Sequence, residues 1–301
     1  MDASFLMSVL FGGHSQQLEG PPSLTQIVEY LPHALLVFLV VLIGFLTLKD
    51  ILYGMRRPFL NPNTWQPLQL LDRKVLTHNT RRFRFVLPHQ DQKLGLPVGQ
   101  HISIRTTLPD GKQVIRPYTP TSDGNARGYV DFVIKVYPEG KMSQAMDSLK
   151  VGETMEFKGP KGLFSMEQHG SASKIGMIAG GTGITPMFQV AMAFLKDSNN
   201  TAEFSLLFAN VTEEDILLRD ELDDLAKRFS KTFKVYYVLD KPPRSGWKGG
   251  SGFITADMIR EHLPAPSKET MILRCGPLPM MEVMKKHLDI LGYPKEQQFQ
   301  F

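Results

Sequence analysis

Residues 174–187, KIGMIAGGTGITPM, decide how this chain folds. A short apolar run ends on Gly180, Gly181 and Gly183, and Pro186 sits where a helix would open. An apolar run of strand length that closes on turn residues and leads into a helix predicts a buried parallel strand with a crossover helix. Proline suits the first helical turn because its missing N–H would have no partner there. The remaining amides and the helix dipole favour an anion, so a nucleotide pyrophosphate is the natural occupant. The pattern is neither a P-loop nor GxGxxG, and a plain tight strand-to-helix turn would leave the same trace.

Downstream, FSLLFAN, a helix across residues 217–229, FKVYYVLD and MILRCG continue the alternation of apolar strands with helices. Such alternation predicts an α/β parallel-sheet domain, placed at residues 169–301. Upstream the pattern is different. RRFRFVLP, HISIRTT and YVDFVIKVY recur between turn signals and predict a small antiparallel β-barrel at residues 65–168.

Before the barrel, PFLNPNTWQP has linker chemistry, giving a linker at 49–64. Residues 34–48, ALLVFLVVLIGFLTL, carry no charge, and extension back to Ile27 gives a transmembrane anchor at 27–48 behind an N-terminal tail at 1–26. No Lys or Arg precedes Lys49, which argues against a cleaved signal or a mitochondrial presequence. Lys49, Arg56 and Arg57 follow the run, so the positive-inside rule places everything after it in the cytosol. A buried core helix is the alternative, since Pro32 interrupts the start of the run.

With 301 residues, 42% of them hydrophobic, the chain can bury two domain cores. Its single cysteine, Cys275, excludes a disulfide framework and any four-cysteine zinc or iron–sulfur site, and no metal site is expected. The net charge of +4 is scattered rather than clustered, which suits an acidic partner better than nucleic acid.

Three further motifs carry chemistry. In Arg116-Pro117-Tyr118-Thr119 a stiff proline separates a phosphate-binding fork from an aromatic ring. Gly140-Lys141-Met142-Ser143 enters a helix whose free amides, with Ser143, can hold a phosphate or simply cap a surface helix. Cys275-Gly276-Pro277-Leu278-Pro279-Met280 follows the strand MILR, where Cys275 would equally serve as a core residue.

In this order RPYT, GKMS, GGTGITPM and CGPLPM resemble the ferredoxin-reductase superfamily, and most closely its NADH-cytochrome b5 reductase family. THNTRRFRFVLP, LGLPVGQHI, VIKVY, KGPKGLF and the terminal Phe299-Gln300-Phe301 extend the likeness over residues 65–301. The resemblance implies FAD and NADH as cofactors. It assigns the flavin to Arg116, Pro117, Tyr118 and Thr119, to Val133, Lys135 and Tyr137 on the flanking strand, to Lys141, Met142 and Ser143 at the phosphate turn, and to Thr185. NADH would use Gly180, Gly181, Thr182 and Gly183 with Cys275, Gly276, Pro277 and Met280. Thr119 and Cys275 would lie at the hydride-transfer centre, the cysteine orienting the nicotinamide without acting as a nucleophile.

Asp240 matches an acid facing the adenosine ribose, where a carboxylate accepts from a 2′-hydroxyl and repels a 2′-phosphate. A turn residue before Lys241 would look the same, and Lys241 and Arg244 would suit a ferredoxin-type NADP reductase. The family implies hydride transfer from NADH to FAD, then single electrons to cytochrome b5; separately, a basic rim of Lys141, Lys158 and Lys161 is expected to steer an acidic cytochrome. Other acceptors are quinones and the electron carrier of diphthamide synthesis, which fungal-type members suggest. A monomer is expected, in the endoplasmic reticulum or the mitochondrial outer membrane, both of which present a cytosolic face. A membrane-tethered nucleotide-binding scaffold without turnover is the reading from another class.

Overall fold

The computed structural model describes residues 24–165 and 172–301, with side chains of the first helix only at 32, 33 and 35–49. The expected tail at 1–26, except for its last residues, and the barrel–α/β boundary at 168/169 lie outside the described residues.

Helix α1 (Leu24–Arg56) belongs to one unit, and residues 57–301 form another. The helix passes through Pro32 and continues beyond residue 48 to Arg56, so it takes in the first part of the expected linker. Its described apolar side chains are exposed, Phe38 at 65% and Val41 at 63%. Among the described residues no helix is long and apolar enough to cross a membrane. The rest of the expected linker is docked rather than free. Phe59 and Leu60 are buried, and their amides donate to the carbonyls of Lys93 and Leu94, both at 3.0 Å.

The larger unit opens with six antiparallel strands: β1 (Gln66–Val75), β2 (Thr80–Val86), β3 (His101–Thr107), β4 (Gln113–Tyr118), β5 (Tyr129–Lys135) and β6 (Thr154–Lys161). They pair in the order β4-β3-β6-β1-β2-β5. Alternation explains the inner face. Phe83 and Phe85 of β2 are fully buried, while Arg82 and Arg84 between and beside them turn outward to Asp72 and Asp131. All six strands feed one core, in which Phe85 meets Phe157 edge-on at 4.9 Å and Phe132 at 6.2 Å. A sheet with a single interior must curl around it. The outer strands are tied where Thr121, just after β4, donates to the Asp131 carbonyl of β5 at 2.9 Å. Helix α2 (Lys141–Ser148) plugs one side through Met142 and Met146.

The second half holds β7 (Lys174–Gly180), α3 (Ile184–Leu195), β8 (Glu203–Asn210), α4 (Arg219–Arg228), β9 (Phe233–Leu239), β10 (Gly250–Ser251), α5 (Ala256–His262), β11 (Thr270–Cys275), α6 (Leu278–Ile290) and β12 (Gln298–Gln300). The strands are parallel in the order β10-β9-β8-β7-β11-β12. The chain starts in the middle at β7, walks out to β10, then returns to the other side of β7. That reversal opens a crevice at the carboxyl ends of β7 and β11, the place where such sheets bind ligands.

The halves share a core, since Val133 of β5 and Phe164 pack with β7, β8 and α3 residues. Gln189 of α3 adds polar ties, accepting from the Gly99 amide at 2.8 Å and donating to the Gln100 carbonyl at 3.3 Å.

Candidate functional site

A cleft of about 900 Å³ lies where the barrel meets the switch point of the parallel sheet. It brings together all four residues of RPYT, together with Val133, Lys135 and Tyr137 of the β5 segment. Lys141, Met142 and Ser143 of α2 and Thr185 of α3 complete the predicted flavin set. From the predicted nucleotide set, Thr182, Gly183, Cys275 and Gly276 line the same space.

The barrel wall works through side chains. Pro117 pairs with Ser103 and Tyr118 closes the β4 ladder on Ile102, half-buried and edge-on to Phe132 at 6.4 Å. Burial pushes the Tyr118 phenol up to about 12, against the pull of Arg116, so it stays a hydrogen-bond donor. Arg116 is exposed, donates to the Ile115 carbonyl at 2.8 Å and meets no carboxylate among the described residues. Its fork is available to an anion.

Helix α2 begins at Gly140 with no side-chain cap. A Cβ on Gly140 would stand 2.3 Å from Ser143 Oγ, so the turn closes only around glycine. Ser143 is buried, donates to the Gly140 carbonyl at 3.0 Å and accepts from the Tyr137 amide at 3.1 Å. Its hydroxyl builds the turn, which leaves the first helical amides and exposed Lys141 to meet a phosphate. An anion-ready helix start, an unpaired guanidinium and a neutral phenol on one wall suit a flavin with its pyrophosphate.

The α/β wall works through backbone. After β7 the chain makes a short 3₁₀ turn, Gly181–Gly183, before α3. Gly183 is pressed against the other loop: a Cβ there would lie 2.2 Å from the Cys275 carbonyl. Gly181, at φ +53°, has open space where its Cβ would be. Gly180, Pro277 and Met280 do not line the cleft. They buttress it, since a Cβ on Gly180 would meet Met280 Sδ at 2.5 Å and Pro277 Cδ at 3.1 Å. Cys275 is half-buried and lines the cleft, and burial pushes its thiol up to about 11, which favours the neutral form at ordinary pH. Asp240 stands exposed at the end of β9, its amide donating to the Asn210 carbonyl at 3.0 Å, and lies outside the cleft. Two strand spacings, roughly 10 Å, separate β9 from β7.

Several lining residues escaped sequence reasoning. His101 lines the cleft, and burial together with Lys161 lowers its pKa. Gly162 and the 89% exposed Leu163 form one lip. Phe299 and Phe301 line another part, packed on Phe164 at 5.0 and 5.2 Å. GQHI and FQF held the signal, but only the parallel docking of β12 on β11 shows where the terminus goes. Of the expected basic rim, Lys141 lines the cleft and Lys161 acts electrostatically on its His101, whereas Lys158 lies over the Trp65 ring at 5.7 Å.

The oxidoreductase FAD-binding domain family matches residues 67–166, and the oxidoreductase NAD-binding domain family matches residues 177–286. An NADH-cytochrome b5 reductase 1 of Dictyostelium discoideum is 49% identical over 80% of this chain and 83% of its own length. The human NADH-cytochrome b5 reductase 1 is 46% identical over 88% of this chain and 95% of its own. Among solved structures, the cytochrome b5 reductase domain of Ulva prolifera nitrate reductase superposes with a TM-score of 0.76 at 38% identity. That match covers 81% of this chain and 100% of that one.

Proposed function

The chain belongs to the NADH-cytochrome b5 reductase family, and from that premise we propose that it takes hydride from NADH into bound FAD and passes single electrons to cytochrome b5. One observation carries the reading: RPYT, the start of α2 and the carboxyl ends of β7 and β11 converge on one cleft. FAD supplies the conversion of a two-electron donor into single electrons.

The residues then have separate tasks. Arg116, Lys141 and the amides opening α2 hold the flavin pyrophosphate, while Tyr118 and Thr119 lie along its ring. The β7 and β11 loops hold the dihydronicotinamide against that ring, with neutral Cys275 fixing its depth. Asp240, roughly 10 Å along the carboxyl edge, meets the adenosine ribose of an extended dinucleotide and disfavours a 2′-phosphate.

Membrane anchoring by α1 is part of the proposal. It is supported by the uncharged run at 34–48, its exposed described side chains and the charges that begin at Lys49. The 33 helical residues would extend roughly 50 Å. The cytosolic face of the endoplasmic reticulum or mitochondrial outer membrane follows, with the enzyme working as a monomer. Lys141 and Lys161 steer an acidic acceptor, and the electron carrier of diphthamide synthesis is a second candidate acceptor.

Anaerobic titration of the detergent-purified chain with NADH tests this. Flavin bleaching, followed by haem reduction when oxidised cytochrome b5 is added, is the expected outcome. Bleaching without haem reduction removes the acceptor, and absence of bound flavin removes the function.

A further inference from the structure

Three cationic side chains line the cleft: Arg116, Lys135 and Lys141. Arg116 and Lys141 are exposed, but the Lys135 side chain is only 15% exposed and its ammonium is already engaged. Nζ of Lys135 lies 2.7 Å from Oδ1 of Asp215, a carboxylate 11% exposed that belongs to the other half of the unit.

Asp215 is itself held from three sides. Its Oδ2 accepts from the Thr212 amide at 3.2 Å and from the Thr212 hydroxyl at 3.0 Å, closing a capping box on the short turn Glu213–Asp215 after β8. Its Oδ1 also accepts from Asn79 Nδ2 at 3.3 Å. The Asn79 amide oxygen accepts from the Thr80 hydroxyl at 3.0 Å, and its carbonyl accepts from the Val136 amide at 2.7 Å, so this donor is locked against β5. The two Thr212 bonds fix the carboxylate on its own turn, and the Asn79 and Lys135 bonds fix it against the barrel strand that carries Lys135.

A buried ammonium on a flexible stem would otherwise follow the nearest anion, whether flavin, nucleotide or solvent ion. Pairing with an immobilised carboxylate keeps it charged and in one place. We propose that Asp215 is a positioning residue for hydride transfer: it acts through Lys135, fixing that ammonium in the cleft wall only when the two halves are docked. The inference rests on the cleft's being the flavin and NADH site. It goes beyond that reading by giving a residue outside the cleft a part in the reaction.

A double-mutant cycle on the detergent-purified full chain tests it. Flavin content is checked by absorbance, and bleaching over a series of NADH concentrations up to saturation is followed by rapid mixing in wild type, Asp215→Asn, Lys135→Gln and the double variant. Asp215→Asn is expected to slow bleaching roughly tenfold when Lys135 is present and less than about twofold when it is Gln, since groups in contact couple. The loss should appear in the NADH dependence as well as in the limiting rate, which a role confined to stability would not give. Equal losses in both backgrounds overturn the inference. If Asp215→Asn does not retain flavin, Thr212→Val removes one donor to the carboxylate and leaves both charges. It should give a smaller loss of the same kind that vanishes with Lys135→Gln, and persistence of that loss overturns the inference. Wild-type chain that binds flavin but is not bleached by NADH overturns the underlying reading and this inference together.

Discussion

The two walls of the cleft are built on different principles. The barrel wall presents side chains, namely Arg116 and Tyr118 on strand β4 and Lys141 on helix α2, over a core locked by aromatic packing. The α/β wall presents mostly backbone, in two loops pressed so closely that glycine is required between them. The difference predicts how each wall fails. A side-chain wall loses one contact at a time, whereas a backbone wall loses its shape.

The largest effect is expected on the backbone wall. Gly183→Ala places a Cβ 2.2 Å from the Cys275 carbonyl, so one loop must move. We expect loss of NADH-driven flavin bleaching and a drop in stability of about 3 kcal/mol, in the range of overpacking a close contact. Thermal unfolding and a NADH titration measure both, and normal bleaching would show that the loops need not touch. On the barrel wall, Arg116→Ala should weaken flavin retention by about 2 kcal/mol, roughly 30-fold, with the fold intact, because one charge-assisted contact is lost. Flavin release on dilution, read by fluorescence, checks it.

The comparison also explains what the sequence made legible. Strands with clean alternation or unbroken apolar runs, β2, β3, β5, β7 and β8, could be read because their burial is local. β1 and β6 could not, since Gln66–Val75 is mostly outward-facing and Thr154–Lys161 carries Gly159 and Pro160. Motif residues on the barrel wall were legible because side chains carry their chemistry. On the other wall the roles of the glycines separated only in three dimensions: Gly180 and Gly183 pack, while Gly181 faces open space. The Lys135–Asp215 pair links positions 80 residues apart and has no local trace.

Smaller effects sharpen the contrast at the margins. Asp240→Ser should cut the preference for NADH over NADPH roughly tenfold, about 1.4 kcal/mol, while leaving flavin binding unchanged. Parallel titrations with the two nucleotides decide this, and an unchanged ratio would return Asp240 to a turn residue. The smallest effect concerns Cys275. Because burial raises its thiol to about 11, the neutral form prevails below that pH, and ionisation would begin only as pH approaches it. Turnover should therefore show no limb from this thiol over roughly pH 6–9, which lies below its raised pKa, and Cys275→Ser should follow the same profile. A limb that disappears in the serine variant would mean the thiolate takes part.

The central claim is that the two walls bring nicotinamide and flavin into direct contact for hydride transfer. Rapid mixing of the flavin-loaded chain with NADH deuterated at both C4 positions, against ordinary NADH, tests that contact. The account predicts slower flavin bleaching with the deuterated donor at saturation. Bleaching that fails altogether, in a chain that retains flavin and binds NADH, would contradict it.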